Sequence, residues 1–367
     1  MAFSDYRLMF DGQPASAERL AQIAEIRVDQ AIDMVTEAQI ILPIGRDEGG
    51  EWPEVLEADF APLTRVRVEV AIDGGGFTAL IEGQVVAQRF EMAGAPNESQ
   101  AVIVVHDDSA MMNRAEQTRL WEDMTPEDIA VQIFSEYGVA AEVEASGIGA
   151  PSLERVVTQS GTDYALLRKL ARRANMVVSV EAGPDGSLGR FRHLPTVSDG
   201  LPELLITGID RNVNKLVLEL DALAPVAASS QMIDHATLNT LSAEATQPST
   251  ETLGDVPAGD VASPAKILSG HFAGDQAELA AGVQAAVDRG AWAYSGEGEV
   301  DAQIYPAVLS PYRRIAVAGA GSRLSGDYLI SEVSHHLTDQ GYKQSFVLRR
   351  NAQSGGGGGG GIPAGVF

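Results

Sequence analysis

The sequence predicts a mainly β protein with α+β insertions, and three observations carry that reading. Apolar residues alternate with polar ones along many short runs, the runs are separated by Gly-rich and polar turns, and one pattern of runs occurs twice. The first occurrence is "RVRVEVAI" (65–72), with Val66, Val68, Val70 and Ile72 on one face, then the turn "DGGG", "TALIEGQVVAQRF" (78–90), the turn-rich "AGAPNES" and "QAVIVVH" (100–106). The second is "RRIAVAG" (313–319), the turn "AGSRLSG", "DYLISEVSHHL" (327–337), the turn "TDQG" and "YKQSFVLRR" (342–350). Both read strand, turn, long strand, turn, strand, and Leu80-Ile81 and Leu329-Ile330 open the two long strands, so one β unit is expected in two copies.

Between the copies the period changes. "TPEDIAVQIFSEYG" (125–138) has Thr125 as N-cap, Pro126 at the first helical position, apolar Ile129 and Ile133 and a stop at Gly138. "TDYALLRKLARRAN" (162–175) sets Leu166, Leu167, Leu170 and Ala174 on one stripe and ends at Asn175, which tolerates a left-handed cap. With the strands that follow, this predicts a βαββ subdomain over about 152–193. The alternation over 203–223 predicts strands that complete the first β unit. Residues 241–266 have no aromatic side chain and abound in Ser, Thr, Ala, Pro and Gly, which predicts a linker. Asp275 and Glu278 form a capping box for a helix through Leu279, Val283 and Val287 that ends near Gly290. The expected organisation is therefore a first β unit over 1–120 completed by 203–240, an inserted α+β subdomain over 121–202, a linker over 241–266, a helix plus second β unit over 267–351, and a Gly-rich tail over 352–367.

Composition limits the function. The chain of 367 residues carries a net charge of -25, with 51 acidic residues spread along it, and a clamp on nucleic acid would need the reverse balance. There is no cysteine, which removes disulfides, thiolate zinc sites and thiol nucleophiles. No window approaches a membrane span and the first residues lack a signal-peptide pattern, so synthesis and folding are expected in the cytoplasm.

Candidate chemistry is sparse. His335 and His336 are neighbours on a strand and point to opposite faces, so they do not ligate one ion: His335 is expected to pack beside Leu329, Val333 and Leu337, and His336 to face outward with Glu332 and Ser334. His106, His193, His235 and His271 have no metal-binding spacing, and no cofactor is expected. No G-x-S-x-G elbow occurs, and "GAGSRL" (319–324) reads as a hairpin turn. "GEGEVD" (296–301) puts Glu297, Glu299 and Asp301 on one strand face, either as a divalent-cation ladder or as a solvated or channel-facing edge. A glycosidase carboxylate pair has no sequence signature. The apolar end Ile362, Pro363, Val366 and Phe367, behind glycines 355–361, reads either as a docking plug or as a loose end.

Two motifs carry a family resemblance that extends over about 5–351. "VVTQSGTDYALLRKLARRANMVVSV" (156–180) resembles the signature of phage late control D proteins, the baseplate hubs of contractile tails, which are similar to the N-terminal hub region of type VI secretion VgrG spike proteins. The matching positions are Gln159, Ser160, Asp163, Tyr164, Leu166, Leu167, Leu170 and Ala171, with Asn175 in place of the usual glycine. The closing hairpin matches at Gly326, Tyr328, Val333, His335, Gly341, Tyr342 and Phe346, with Ile330 in place of the usual valine and Gln344 in place of the usual threonine, and "AAGVQAAVDRGAWAYSGEGEVDA" (280–302) resembles the segment before the last barrel.

The resemblance implies two tail-tube-like β-barrel domains plus small α/β subdomains in each chain, and a non-enzymatic homotrimer that forms a pseudo-hexameric ring between a six-fold tail tube and a trimeric spike. Implied partners are the tail tube protein, a separate spike polypeptide and other baseplate components, without specific nucleic-acid or membrane binding. Implied location is the cytoplasm during assembly and a virion or injection particle afterwards. Ile362, Pro363, Val366 and Phe367 are then expected to touch the spike or channel, and Glu297 and Glu299 to line the channel. The competing expectations are a tail-associated cell-wall glycan hydrolase and a monomeric carbohydrate-binding β protein.

Overall fold

The computed structural model describes residues 4–46, 59–72, 74–95, 98–147, 156–195, 198, 200–234, 238–270 and 276–355. Ile362, Pro363, Val366, Phe367, His235, His271 and the cap residue Asp275 lie outside them. A 13-stranded sheet dominates the molecule and contains both copies of the β unit. The first copy consists of β1 (Glu25–Ala31), β2 (Glu37–Pro43), β3 (Arg65–Ile72), β4 (Thr78–Glu91) and β5 (Gln100–Asp107). The second consists of β6 (Leu216–Leu220), β7 (Tyr294–Asp301), β8 (Arg314–Ala318), β9 (Gly326–Thr338) and β10 (Gly341–Arg350). Their order in the sheet is β3-β4-β5-β2-β1 and β8-β9-β10-β7-β6, every pair antiparallel.

The duplication extends to single residues. Both long strands carry a bulge, at Val86 in β4 and at Ser331 in β9, where the register against the next strand slips. One residue before each bulge, Val85 and Ile330 bond a loop residue with left-handed backbone. Leu63 (φ 68°) donates its N–H to the Val85 carbonyl at 2.8 Å, and Tyr312 (φ 62°) donates to Ile330 at 3.1 Å. A leucine and a tyrosine both held in that unfavourable region at matching positions mark one shared design. Aligned on the bulges, Leu329-Ile330 matches Gln84-Val85, not Leu80-Ile81, so the expected pairing of the two Leu-Ile steps is four residues out of register.

One junction joins the copies. β9 pairs with β8 along its first part and with β1 along Glu332 to Thr338, so the sheet passes from one unit to the other without a break. The first core contains Ile26, Val28, Ile40, Val68, Ile81 and Ile103 and also takes in Leu337 and Tyr342 from the second copy. The second core centres on Tyr305, Leu309, Ile315, Tyr328, Ile330, Val333, Phe346 and Leu348.

Three expectations about organisation change. The strand over 216–220 joins β7 of the second unit and does not complete the first. Its partner explains why: Gly296 and Gly298 leave room that Leu218, Leu216 and Phe346 fill, since a Cβ on Gly296 would come within 2.7 Å of Leu218 Cδ2. The 241–266 segment is not a plain linker. Thr240–Ala245 and Ala265–Leu268 flank Val226–Ile233 in a three-stranded sheet, under which Val283 and Val287 of α3 (Gln276–Gly290) pack on Ala228 and Ala245. The insertion is also not a simple βαββ unit, because Val157–Thr162 pairs with Glu116–Trp121, whereas Val177–Ala182 and Ser187–Arg192 form another sheet with Ala140–Val143.

Both helices of the insertion form as their caps dictate. α1 (Pro126–Glu136) opens with a capping box between Thr125 and Asp128, and α2 (Asp163–Arg173) with a bond from Ala165 N–H to the Thr162 hydroxyl. Asn175 takes φ 53° just after α2, as its place there predicts. The Gln159 and Asp163 motif is a buried structural knot: Trp121 Nε1 donates to Gln159 at 2.9 Å, Gln159 Nε2 donates to Asp163 at 2.7 Å and the Tyr137 hydroxyl donates to the other Asp163 oxygen at 2.8 Å. Burial and the Asp163 contact together push the Tyr137 phenol up to about 12.

The duplicated arginines Arg65 and Arg314 hold this insertion from both ends. Arg65 bonds Asp108 at 2.7 Å and Ser187 at 3.0 Å, and Arg314 donates to the Pro195 carbonyl at 2.9 Å. Replacing Asp163 by Ala strands the Gln159 and Tyr137 donors in the insertion core, and is expected to cost about 2–3 kcal/mol. Chemical denaturation of D163A against the parent checks this.

Candidate functional site

The junction between the units is where sequence-predicted polar residues converge. β9 alternates strictly after its bulge, so Val333, His335 and Leu337 face the cores while Ser334 and His336 face outward. Leu329 does not share the His335 face as expected: the extra residue at Ser331 inverts the alternation, and Tyr328 and Ile330 point into the core instead.

His335 is fully buried. Its Nδ1 lies 2.7 Å from the Tyr342 hydroxyl and its Nε2 lies 3.1 Å from Gln30 Oε1. The Gln30 amide nitrogen donates to the Leu80 carbonyl at 2.7 Å, so its oxygen faces the ring. The consistent tautomer has Nε2–H donating to Gln30 and Nδ1 accepting from Tyr342. Burial, followed by the neighbouring His336, pushes the His335 imidazole down to about 3. With both ring nitrogens hydrogen-bonded inside the core, His335 is a neutral bolt through the junction. His336 is half-exposed, 3.2 Å from Ser334 Oγ and 3.5 Å from Glu25.

On the outward face a polar row crosses both units, one side chain per strand: Glu299, Ser345, Ser334, Asp29, Glu37, His106, Gln84 and Arg65, each register-paired with the next. Ser334 donates to Asp29 across the junction, and Glu37 lies 2.9 Å from His106 Nε2. Partial burial pushes the Glu37 carboxyl up, and bonds from Gln39 and His106 outweigh this and hold it below the usual range. Of the two sequence-predicted acids, Glu299 lies 3.4 Å from Lys343, and Glu297 opens onto a groove of about 570 Å³ with Asp29, Glu37 and Glu332. Sequence reasoning set Glu332 on the outward face with His336 and Ser334 but missed Asp29 and Glu37, whose only signal was their parity on strands whose neighbours were unknown.

A second cavity, about 630 Å³, lies between the insertion, α3 and the second unit. Four arginines line it, Arg172, Arg289, Arg314 and Arg349, with Asp33, Glu251 and Glu332. Arg314 pairs with Glu251 at 3.2 Å and Arg172 with Asp33 at 3.6 Å, so it is an ionic joint between subdomains. Among the described residues no group of three or more His, Cys, Asp or Glu is arranged to hold a metal ion, and no helix is long and apolar enough to cross a membrane.

The His335 arrangement has a pH signature. Its pKa is depressed on folding, so the stability it contributes is complete above the unfolded value of 6.5 and is lost as pH falls from there towards about 3, by at most about 1.4 kcal/mol per pH unit. Asp107, fully buried and raised by burial to about 6, acts in the opposite sense and gains stability as pH falls through that value. The difference between the parent and His335→Gln isolates the histidine: melting temperatures from pH 7 to pH 4 are expected to fall more steeply for the parent.

Comparison with known proteins places this architecture. The 43 kDa tail protein of prophage MuSo2 from Shewanella oneidensis is similar over 95% of this chain and 99% of that one, at 15% identity and a TM-score of 0.67. The tail protein from Neisseria meningitidis MC58 is similar over 95% and 97%, at 13% identity and a TM-score of 0.66. The E. coli c3393 protein, a component of the type VI secretion system with structural similarity to T4 bacteriophage tail proteins gp27 and gp5, is similar over 94% and 76%, at 11% identity and a TM-score of 0.56. At these identities the likeness is one of fold, and the mainly β fold with α+β insertions is that of phage tail and VgrG-related proteins. No curated protein matches the chain. A family model does match, over residues 3–339, and it is not the late control D family that the motifs resemble. With most of its length inside that match, the chain belongs to the family described as the Alg8 N-terminal domain.

Proposed function

We propose that the chain is a structural baseplate hub of a contractile phage tail or contractile injection system, as its late control D resemblance implies. In this reading it is a homotrimer whose copies present six like β units to a six-fold tail tube and a three-fold face to a separate spike. The observation that carries the proposal is the pair of β units with identical strand order fused in one sheet, since a chain with two equivalent units is what lets three molecules stand in for six. The fold shared with phage tail proteins supports the same reading. Such an adaptor works through complementary surface and needs no turnover.

The outward polar face supplies a channel lining in this scheme. Glu297 and Glu299 lie on it with Asp29, Glu37 and Glu332, and in a chain of net charge -25 such a wall repels a passing polyanion and keeps it from adhering. The apolar end Ile362, Pro363, Val366 and Phe367 would meet the spike. The chain would assemble in the cytoplasm with tube, spike and other baseplate proteins and end in the particle.

Electron micrographs of the purified full-length protein, together with its solution mass, test this proposal. The expected result is a ring of three copies with six-fold-like modulation, formed alone or on the tail tube. A protein that stays monomeric beside tube protein and hydrolyses or binds peptidoglycan would favour the glycan-directed readings and overturn the hub. Within the hub reading, deletion of 355–367 is expected to leave the ring intact and to release the spike in pull-down; unchanged spike retention removes the plug from the scheme.

A further inference from the structure

The two units are equivalent, but their edges are not equally satisfied. Within the chain, the second half of β9 is covered by β1, and Ile26 and Val28 of β1 are 1% and 0% exposed beneath it. The corresponding half of β4, beyond the bulge at Val86, has no strand partner on that side among the described residues. Pairing with β3 ends at Gln84, and Gln88 reaches only the Phe60 carbonyl with its side chain. There Phe90 is 45% and Met92 59% exposed, although their counterparts His335 and Leu337 are buried. At the other end of the sheet β6 is a terminal strand, and Leu216 and Leu218, the counterparts of Ile26 and Val28, are only half-buried.

We infer that the free half of β4 in one copy pairs antiparallel with the outer edge of β6 in a second copy, repeating between molecules the β9–β1 junction that each molecule contains. The internal junction fixes the register. Ser334 opposite Asp29, His335 opposite Val28 and Leu337 opposite Ile26 become Arg89 opposite Glu219, Phe90 opposite Leu218 and Met92 opposite Leu216. The side chains that meet are complementary on both faces. Arg89 and Glu219 are exposed and opposite in charge on the outward face, the level at which Ser334 bonds Asp29 inside the chain. Phe90 and Met92 turn inward onto Leu216 and Leu218, and Met92 enters the second core of the neighbour where Leu337 enters the first core at home.

The chemistry of the two junctions differs in the direction this requires. The internal one carries buried His335 and half-buried Gln30, whereas the external one replaces them with Phe90 and Leu220. A contact between copies loses translational and rotational freedom that a contact within a chain does not, and apolar burial offsets that loss. The edges are different surfaces of one chain, so the contact is head-to-tail and closes into a ring or continues as a filament. It deepens the hub proposal and shares with it only the premise that copies associate.

Two measurements on the full chain test the pairing. Arg89→Glu and Glu219→Arg singly are expected to raise the concentration for half-assembly about tenfold, and the double swap to restore it to within about threefold. The chain has no native cysteine, so Arg89→Cys with Glu219→Cys is expected to give disulfide-linked multimers under mild oxidation, and Arg89→Cys with Val217→Cys, out of register, far fewer. Copies that assemble without the charge rescue and without the in-register cross-link overturn this interface and leave the hub reading standing. Copies that never associate, even beside tube protein, overturn both.

Discussion

A single strand holds the molecule together. β9 is long enough to serve two neighbours in succession, β8 and then β1, and the bulge at Ser331 is where it changes partner. Through that change the two units share one continuous sheet. With it, Leu337 and Tyr342 are committed to the first core, and His335 is fixed from both sides by Tyr342 and Gln30. The neutral state of His335 follows from this position, because an imidazolium there would have neither water nor a carboxylate partner.

Everything else is arranged around that junction. The insertion bridges the units through two equivalent arginines, Arg65 reaching Asp108 and Ser187, and Arg314 reaching the Pro195 carbonyl. In the Arg-lined cavity beside it, Asp33 pairs with Arg172 and Glu251 with Arg314. The outward face stays polar from Glu299 to Arg65 because every strand contributes the same parity, which is a consequence of continuous register and not of any local motif.

Sequence periodicity was enough to locate the strands of the repeated pattern and the two capped helices, since each of these depends on neighbours within a few residues, but it did not single out β1 and β2, which supply the first unit's side of the junction. Partnership was harder. The strand at 216–220 alternates as well as any other, yet nothing in "KLVLEL" says that it lies on Gly296 and Gly298 instead of joining the nearer unit. The acidic reading of "GEGEVD" saw the glutamates and passed over the glycines, which are the residues that admit Leu218 and Phe346. The 241–266 segment is short of large apolar side chains because its small sheet is covered by alanines and valines, so composition mistook it for a linker. The open edge of β4 did leave a trace: 14 residues where its neighbour β3 has 8.

Carrying both units on one gene also changes what mutation can do. In a ring of identical subunits a substitution alters every position at once. Here His335 and Phe90, or Gln30 and Leu220, occupy matching places and have diverged, so alternate positions around an assembly can be specialised separately while the backbone plan they share is kept.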